Sequence, residues 1–139
     1  MPDISLDPFA RALGRLEEGL ARHLVAPDDD QLRDGLVQRF EYTWEQAHKA
    51  LKRVLEATAA DPDEVDRMTF QTLIRTGNEQ GLVPSDWPAW RTFRELRART
   101  SHTYLEEAAR AVVDALPAFI AEARGLCDAL AARLREPDR

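Results

Sequence analysis

Three features of the 139-residue sequence predict an all-α fold, an antiparallel up-and-down helical bundle. Apolar residues recur at intervals of three and four along most of the chain, the period of a helix with one buried stripe. No segment alternates apolar and polar with the period of two that a half-buried strand requires. The breaks between periodic segments are short and rich in Pro, Asp and Gly, which favours antiparallel neighbours.

The first series, Leu6, Phe9, Leu13, Leu16, Leu20 and Leu24, stops at Ala-Pro-Asp-Asp-Asp, residues 26–30. Asp30 is the expected cap of the next helix, since a carboxylate can accept a free first-turn N–H and its charge suits the helix dipole. That second helix carries Leu32, Leu36, Phe40, Trp44, Ala47, Leu51, Val54 and Leu55, and is expected to be the central rod. Asp61 then serves as an N-cap, Pro62 suits the first helical position, and Asp63 and Glu64 match the dipole. A third helix is read through Val65, Met68 and Ile74, ending between Gly77 and Pro84. Ser85 is the expected cap of a fourth, with Trp87, Trp90, Phe93 and then Leu96 or Arg97 at helical intervals. The last helix runs through Leu105, Ala109, Val112, Leu116, Phe119 or Ile120, Ala123, Leu126 or Cys127, Leu130 and Leu134, with Pro117 expected to bend it. The length suits one domain over residues 1–139.

Composition narrows the function. A chain 44% hydrophobic and 32% charged has the balance of a globular protein. No apolar run approaches the roughly 20 residues of a membrane span, and the acidic, polar N-terminus is unlike a signal peptide, so no membrane association and a cytoplasmic location are expected. Cys127 is the only cysteine, which excludes an internal disulfide and any cysteine-based metal site. Its apolar helical setting predicts a core residue. A formal charge of −6 excludes wholesale coating of nucleic acid. Locally, however, Arg91, Arg94, Arg97 and Arg99 are opposed only by Glu95.

This patch leads into Arg-Ala-Arg-Thr-Ser-His-Thr-Tyr, residues 97–104. In one continuous helix Arg97 and His102 would stand ~140° apart around the axis. Thr103 followed by Glu106 is a capping-box spacing, so a new helix can start there and Thr100 to His102 can form a corner. An arginine at such a corner can clamp a phosphate, a helix N-terminus can support the same anion, and an imidazole can move a proton near neutral pH. Those parts suit metal-independent RNA cleavage by a ribose 2′-hydroxyl. The same residue types also fit a solvated helix face ending in a structural histidine. His48, beside the apolar stripe of the second helix, reads as structural; His23 suits a helix C-terminus. Neither has a metal-ligand spacing, so no metal and no cofactor are expected.

Arg97, four residues, His102, one residue and Tyr104 together form a pattern that resembles the HEPN superfamily. More narrowly, the chain is similar to its HepT-like group of nucleotidyltransferase substrate-binding proteins. LRDGLVQRFEYTWEQAHKALKRVLE, residues 32–56, resembles that group's second helix, and LIRTGNEQGLV, residues 73–83, the end of its third; the resemblance spans about residues 30–135. It implies a helical bundle with a HEPN-like four-helix core, a homodimer whose paired motifs face a shared cleft, and a partner, a minimal nucleotidyltransferase antitoxin. It also implies a ribonuclease toxin that the partner silences by adding AMP to the motif tyrosine. Carried onto this sequence, Arg97 and His102 are the catalytic residues and Tyr104 the modified one; the local basic patch makes Arg91, Arg94 and Arg99 the expected RNA-binding set. Active relatives commonly have a polar residue after the motif arginine, where this chain has Ala98. That leaves open a non-catalytic substrate-binding subunit of a two-component nucleotidyltransferase, and also a structural bundle that dimerises through Trp87 and Trp90.

Overall fold

The computed structural model describes residues 3–102 and 105–136, with His102 described by its backbone alone. Six helices and one short turn follow in order: α1 (Asp7–Val25), α2 (Asp30–Thr58), α3 (Pro62–Asp66), α4 (Phe70–Glu79), α5 (Trp87–Arg99), a 3₁₀ turn (Thr100–His102) and α6 (Glu106–Arg135). No strand occurs among the described residues. The long helices α1, α2 and α6 pack on one another, and α5 closes the bundle against α6.

In α1, Phe9, Ala12, Leu13, Leu16 and Gly19 are buried, as the predicted stripe requires. The stripe ends sooner than predicted: Leu24 is 71% exposed and Val25 86%. The α1–α2 turn follows at once, so no element covers this last turn of helix. At Gly19 α1 passes close to α2, since a Cβ there would stand 3.0 Å from Leu36 Cδ1.

The cap of α2 is Asp29 rather than Asp30. Asp29 has the extended backbone of an N-cap (φ −82°, ψ 102°), and its carboxylate accepts from Leu32 N at 3.0 Å. Asp30 becomes the first helical residue, where its charge still suits the dipole. As the central rod, α2 buries Leu36, Val37, Phe40, Ala47, Leu51, Val54 and Leu55. Thr43 is also buried, and its hydroxyl donates to the Arg39 carbonyl at 2.7 Å.

The single third helix of the sequence reading is two helices. Asp61 caps α3 and Pro62 opens it, as predicted, with Asp61 Oδ1 accepting from Asp63 N at 3.1 Å. Thr69 then leaves the helical region (φ −68°, ψ 162°) and caps α4 by accepting from Thr72 N at 3.2 Å. A threonine hydroxyl that competes for backbone N–H groups starts a new helix more readily than it continues an old one. Beyond α4, Gly81 takes φ +77°, and the amides of Leu82 and Val83 return to the Gly77 carbonyl at 2.8 and 3.2 Å. Leu82 and Val83 thereby enter the core.

Asp86, not Ser85, caps α5, accepting from Trp87 N at 2.7 Å. Trp90, Phe93 and Leu96 face inward, and Arg97 lies on the flank of that stripe. Trp90 sits within an aromatic cluster with Phe93, Phe119 and Phe40, in which the Phe40–Phe119 centroids are 4.9 Å apart in an edge-to-face pair. Trp87 rests against Phe70 at 5.9 Å, so the two tryptophans serve the core rather than supply a spare apolar surface. The last helix, α6, continues through Pro117 and buries Phe119, Leu126 and Cys127. Burial pushes the Cys127 thiol above its ordinary pKa, the setting of an inert core residue. Buried Glu122 is the exception on this stripe: its Oε2 accepts from Ser85 N at 2.9 Å and from Trp90 Nε1 at 3.0 Å.

Candidate active site

The predicted corner is present. Arg97 lies in the last turn of α5, which ends at Arg99, and Thr100 to His102 form a 3₁₀ turn. Buried Thr100 secures it, donating its hydroxyl to the Arg97 carbonyl at 2.6 Å, while Ser101 donates to the Ala98 carbonyl at 3.2 Å. Ala98 itself is exposed.

The side chain of Arg97 is fixed on three sides. Its Nη1 donates to Thr100 Oγ1 at 3.1 Å, and its Nη2 to Glu45 Oε1 at 3.1 Å. Glu41 Oε2 lies 3.6 Å from Nη1. Glu41 and Glu45 stand one turn apart on α2, so both can meet one guanidinium from α5. The Arg97 side chain remains 30% exposed. The corner therefore presents an oriented arginine whose charge is already met by two carboxylates, and an incoming phosphate has to compete with them. The sequence reading missed both glutamates. On an amphipathic helix they look like any solvated pair, and 52 positions separate Glu45 from Arg97.

The remaining arginines divide. Arg94 stacks over the Phe70 ring at 5.9 Å, Arg91 pairs with Glu95 of its own helix at 3.3 Å, and Arg99 is exposed. The structure thus keeps Arg91, Arg94 and Arg97 along α5 but commits Arg91 to a helical ion pair. Phe70 also touches His48, at 4.9 Å, and Trp44, at 5.0 Å. Burial, and secondarily Lys52, lowers the His48 pKa below 6.5, which leaves a neutral ring in an aromatic cluster. That is the structural role read from the sequence. His23 lies in the last turn of α1 beside Arg22, at the expected helix C-terminus.

One expectation about the corner is corrected. Leu105 occupies the N-cap position of α6, and its side chain makes no capping bond. The helix begins at Glu106 rather than just after Thr103, and Glu106 and Glu107 occupy its first turn. These carboxylates already match the dipole, so a phosphate at this helix end would meet their charge. Thr103, Tyr104 and the His102 imidazole lie outside the described residues. Among the described residues no group of three or more His, Cys, Asp or Glu side chains is placed to hold a metal ion, and no helix is long and apolar enough to cross a membrane.

The fold is that of a small all-helical protein with Arg97 at the corner before its last helix, and its class is one named for association with nucleotidyltransferases. The chain belongs to the family described as nucleotidyltransferase substrate binding protein like, whose model matches residues 4–132. It is 34% identical over 104 residues to a Haemophilus influenzae protein named "Probable ribonuclease HepT", covering 75% of this chain and 70% of that one. It also superimposes, with a TM-score of 0.86 and 28% identity, on a Haemophilus influenzae structure described as the fold of a substrate-binding domain of a nucleotidyltransferase. That match covers 91% of this chain and 99% of the other.

Proposed function

We propose that the protein is the toxin subunit of a toxin–antitoxin pair, a metal-independent endoribonuclease that works as a homodimer and is neutralised by a minimal nucleotidyltransferase. The observation that carries this reading is Arg97, held half-buried and oriented at the corner where the chain turns toward His102. Likeness to a relative named as a ribonuclease supports it.

In this mechanism an RNA phosphate takes the guanidinium from Glu41 and Glu45 and is clamped by Arg97. The ribose 2′-hydroxyl attacks the adjacent phosphorus, the new 2′-O–P bond replaces the P–O5′ bond, and a cyclic phosphate forms. The hydroxyl proton leaves to a base, the departing 5′ oxygen gains one, and His102 moves a proton in this exchange. Arg97 stabilises charge growing on the non-bridging oxygens. The nucleophile is internal to the substrate, so the chemistry requires no metal-bound water. Arg94 and Arg99 steer the strand, with Arg91 contributing once released from Glu95. AMP added to Tyr104 by the partner would bring bulk and negative charge beside the phosphate site and exclude RNA.

The test is digestion of RNA by purified protein in excess chelator, alongside Arg97→Ala and His102→Ala. Cleavage by the unaltered protein and loss in both variants is expected; equal activity in all three overturns the reading. The paired state of Arg97 and the apolar Ala98 favour a second reading, a non-catalytic subunit that presents substrate, or Tyr104 itself, to a nucleotidyltransferase. For that reading, a Tyr104 adduct should be found by mass spectrometry after incubation with such an enzyme and ATP, with no cleavage of RNA.

A further inference from the structure

A groove runs between α1 and α2. Its wider part, about 290 Å³, is lined by Ala12, Arg15, Gly35, Gln38, Arg39 and Tyr42. A narrower part of about 80 Å³ shares Gly35 and Arg39 with it and adds Gly19, Arg22 and Gln31. Arg39, which lines both parts, reaches across between them from α2 to α1. A Cβ at Gly35 would meet nothing within 4 Å, so the groove stays open there.

The lining is mixed: Ala12, Leu32 and Leu36 contribute apolar surface, and three arginines stand along it. None of the Arg15, Arg22 and Arg39 side chains pairs with a carboxylate among the described residues, although Glu18 stands on their face of α1, three positions after Arg15 and four before Arg22. Arg39 is anchored, its Nη1 donating to the Arg15 carbonyl at 2.7 Å. At the end of the wider part Tyr42 is 52% exposed, which leaves a ring face open to stacking. Arg15 and Arg22 stand seven positions apart on α1, ~10 Å along its axis, so the row suits an extended ligand with repeated phosphates rather than one mononucleotide. Guanidinium forks on phosphates, an aromatic face and side-chain amides are the parts from which single-strand nucleic-acid sites are made.

Glu41 and Glu45, which meet Arg97, lie on a different face of α2 from the groove residues Gly35, Arg39 and Tyr42, so binding along the groove is separable from the corner. We propose that the α1–α2 groove is a binding track for single-stranded RNA, with Arg15, Arg22 and Arg39 holding backbone phosphates and Tyr42 stacking a base. This deepens the ribonuclease reading and rests on it for the identity of the strand, but binding is measurable apart from cleavage.

The test uses the full chain and a fluorescent 2′-O-methyl oligoribonucleotide, which lacks the attacking hydroxyl and survives any nuclease activity. Anisotropy titrations compare the unaltered protein with Arg15→Gln/Arg22→Gln, with Tyr42→Leu and with Tyr42→Phe; helical circular dichroism verifies that each is folded. The double variant should bind at least tenfold more weakly, and its salt slope should be shallower by about 1.4 for two lost phosphate contacts. Tyr42→Leu should weaken binding several-fold while Tyr42→Phe matches the unaltered protein. Binding by the unaltered protein without RNA cleavage would refute the nuclease reading and leave the track standing. Equal affinity in all four proteins, or no binding by the unaltered protein, overturns the track even if RNA is cleaved. Loss of self-association or nucleotidyltransferase binding in the double variant, at unchanged oligonucleotide affinity, would make the groove a protein interface and likewise overturn it.

Discussion

Glu122→Leu and Glu122→Gln should part sharply in stability. One oxygen of Glu122 receives both the Ser85 amide and the Trp90 indole N–H, at 2.9 and 3.0 Å. Trp90 is buried, so water cannot replace the lost acceptor. Leucine leaves that indole N–H orphaned, at about 1–3 kcal/mol, and deletes the Ser85 bond, at about 1 kcal/mol. Part of this is returned by burying an apolar side chain, so the net loss is about 2–3 kcal/mol, or a fall in Tm of roughly 10 °C for a domain of this size. Glutamine keeps an amide oxygen where the two donors converge and should cost under about 1 kcal/mol, chiefly the charge assistance. Urea unfolding followed by helical circular dichroism reads both values. Equal losses in the two variants, or a neutral leucine variant, would refute the shared-acceptor account.

Three further outcomes follow from geometry. Gly77→Ala brings a Cβ to 2.6 Å from Val83 Cγ2 and should destabilise by about 1–3 kcal/mol, whereas Gly14→Ala meets nothing within 4 Å and should stabilise α1 by roughly 0.5–1 kcal/mol; the pair is compared by urea midpoint. If RNA is the substrate, Glu45→Gln removes a competitor for Arg97 and should lower KM about twofold to fivefold at unchanged kcat, the scale of a part-exposed ion pair; a higher KM would mean that Glu45 positions Arg97 instead. His48 has its pKa held below 6.5 in the folded protein, by burial first and then by Lys52. The unfolded chain therefore takes up a proton that the folded chain resists, so stability is full above about pH 6.5 and declines as pH falls through the folded-state pKa. In His48→Gln the unfolding midpoint should vary less between about pH 7 and 5, and an identical slope would assign that pH dependence to other groups.

The long helices were legible because burial of one face imposes a period that neither packing partner nor loop geometry can disguise. The caps of α2 and α5 were each misplaced by one residue, and that of α6 by two. Asp29 and Asp30, or Ser85 and Asp86, can each accept a first-turn N–H, and only the backbone angles choose between them. The break at Thr69 was hidden because Val65, Met68 and Ile74 keep a helical spacing across it. At the site, a local argument about Arg97 and His102 located the corner. Glu41, Glu45 and Glu122 escaped notice because a carboxylate on an amphipathic helix reveals its partner only when another helix is laid beside it. The family resemblance added what local periodicity lacked, and the family match over residues 4–132 agrees with it.

Glu122 and Glu45 also act together on a larger scale. One holds the beginning of α5 to α6, and the other holds its end to α2, with 13 helical residues, ~20 Å, between them. Neither end of α5 can move without breaking its own hydrogen bond. A phosphate that took Arg97 from Glu45 would therefore free the corner end of α5 while Glu122 kept the other end on α6.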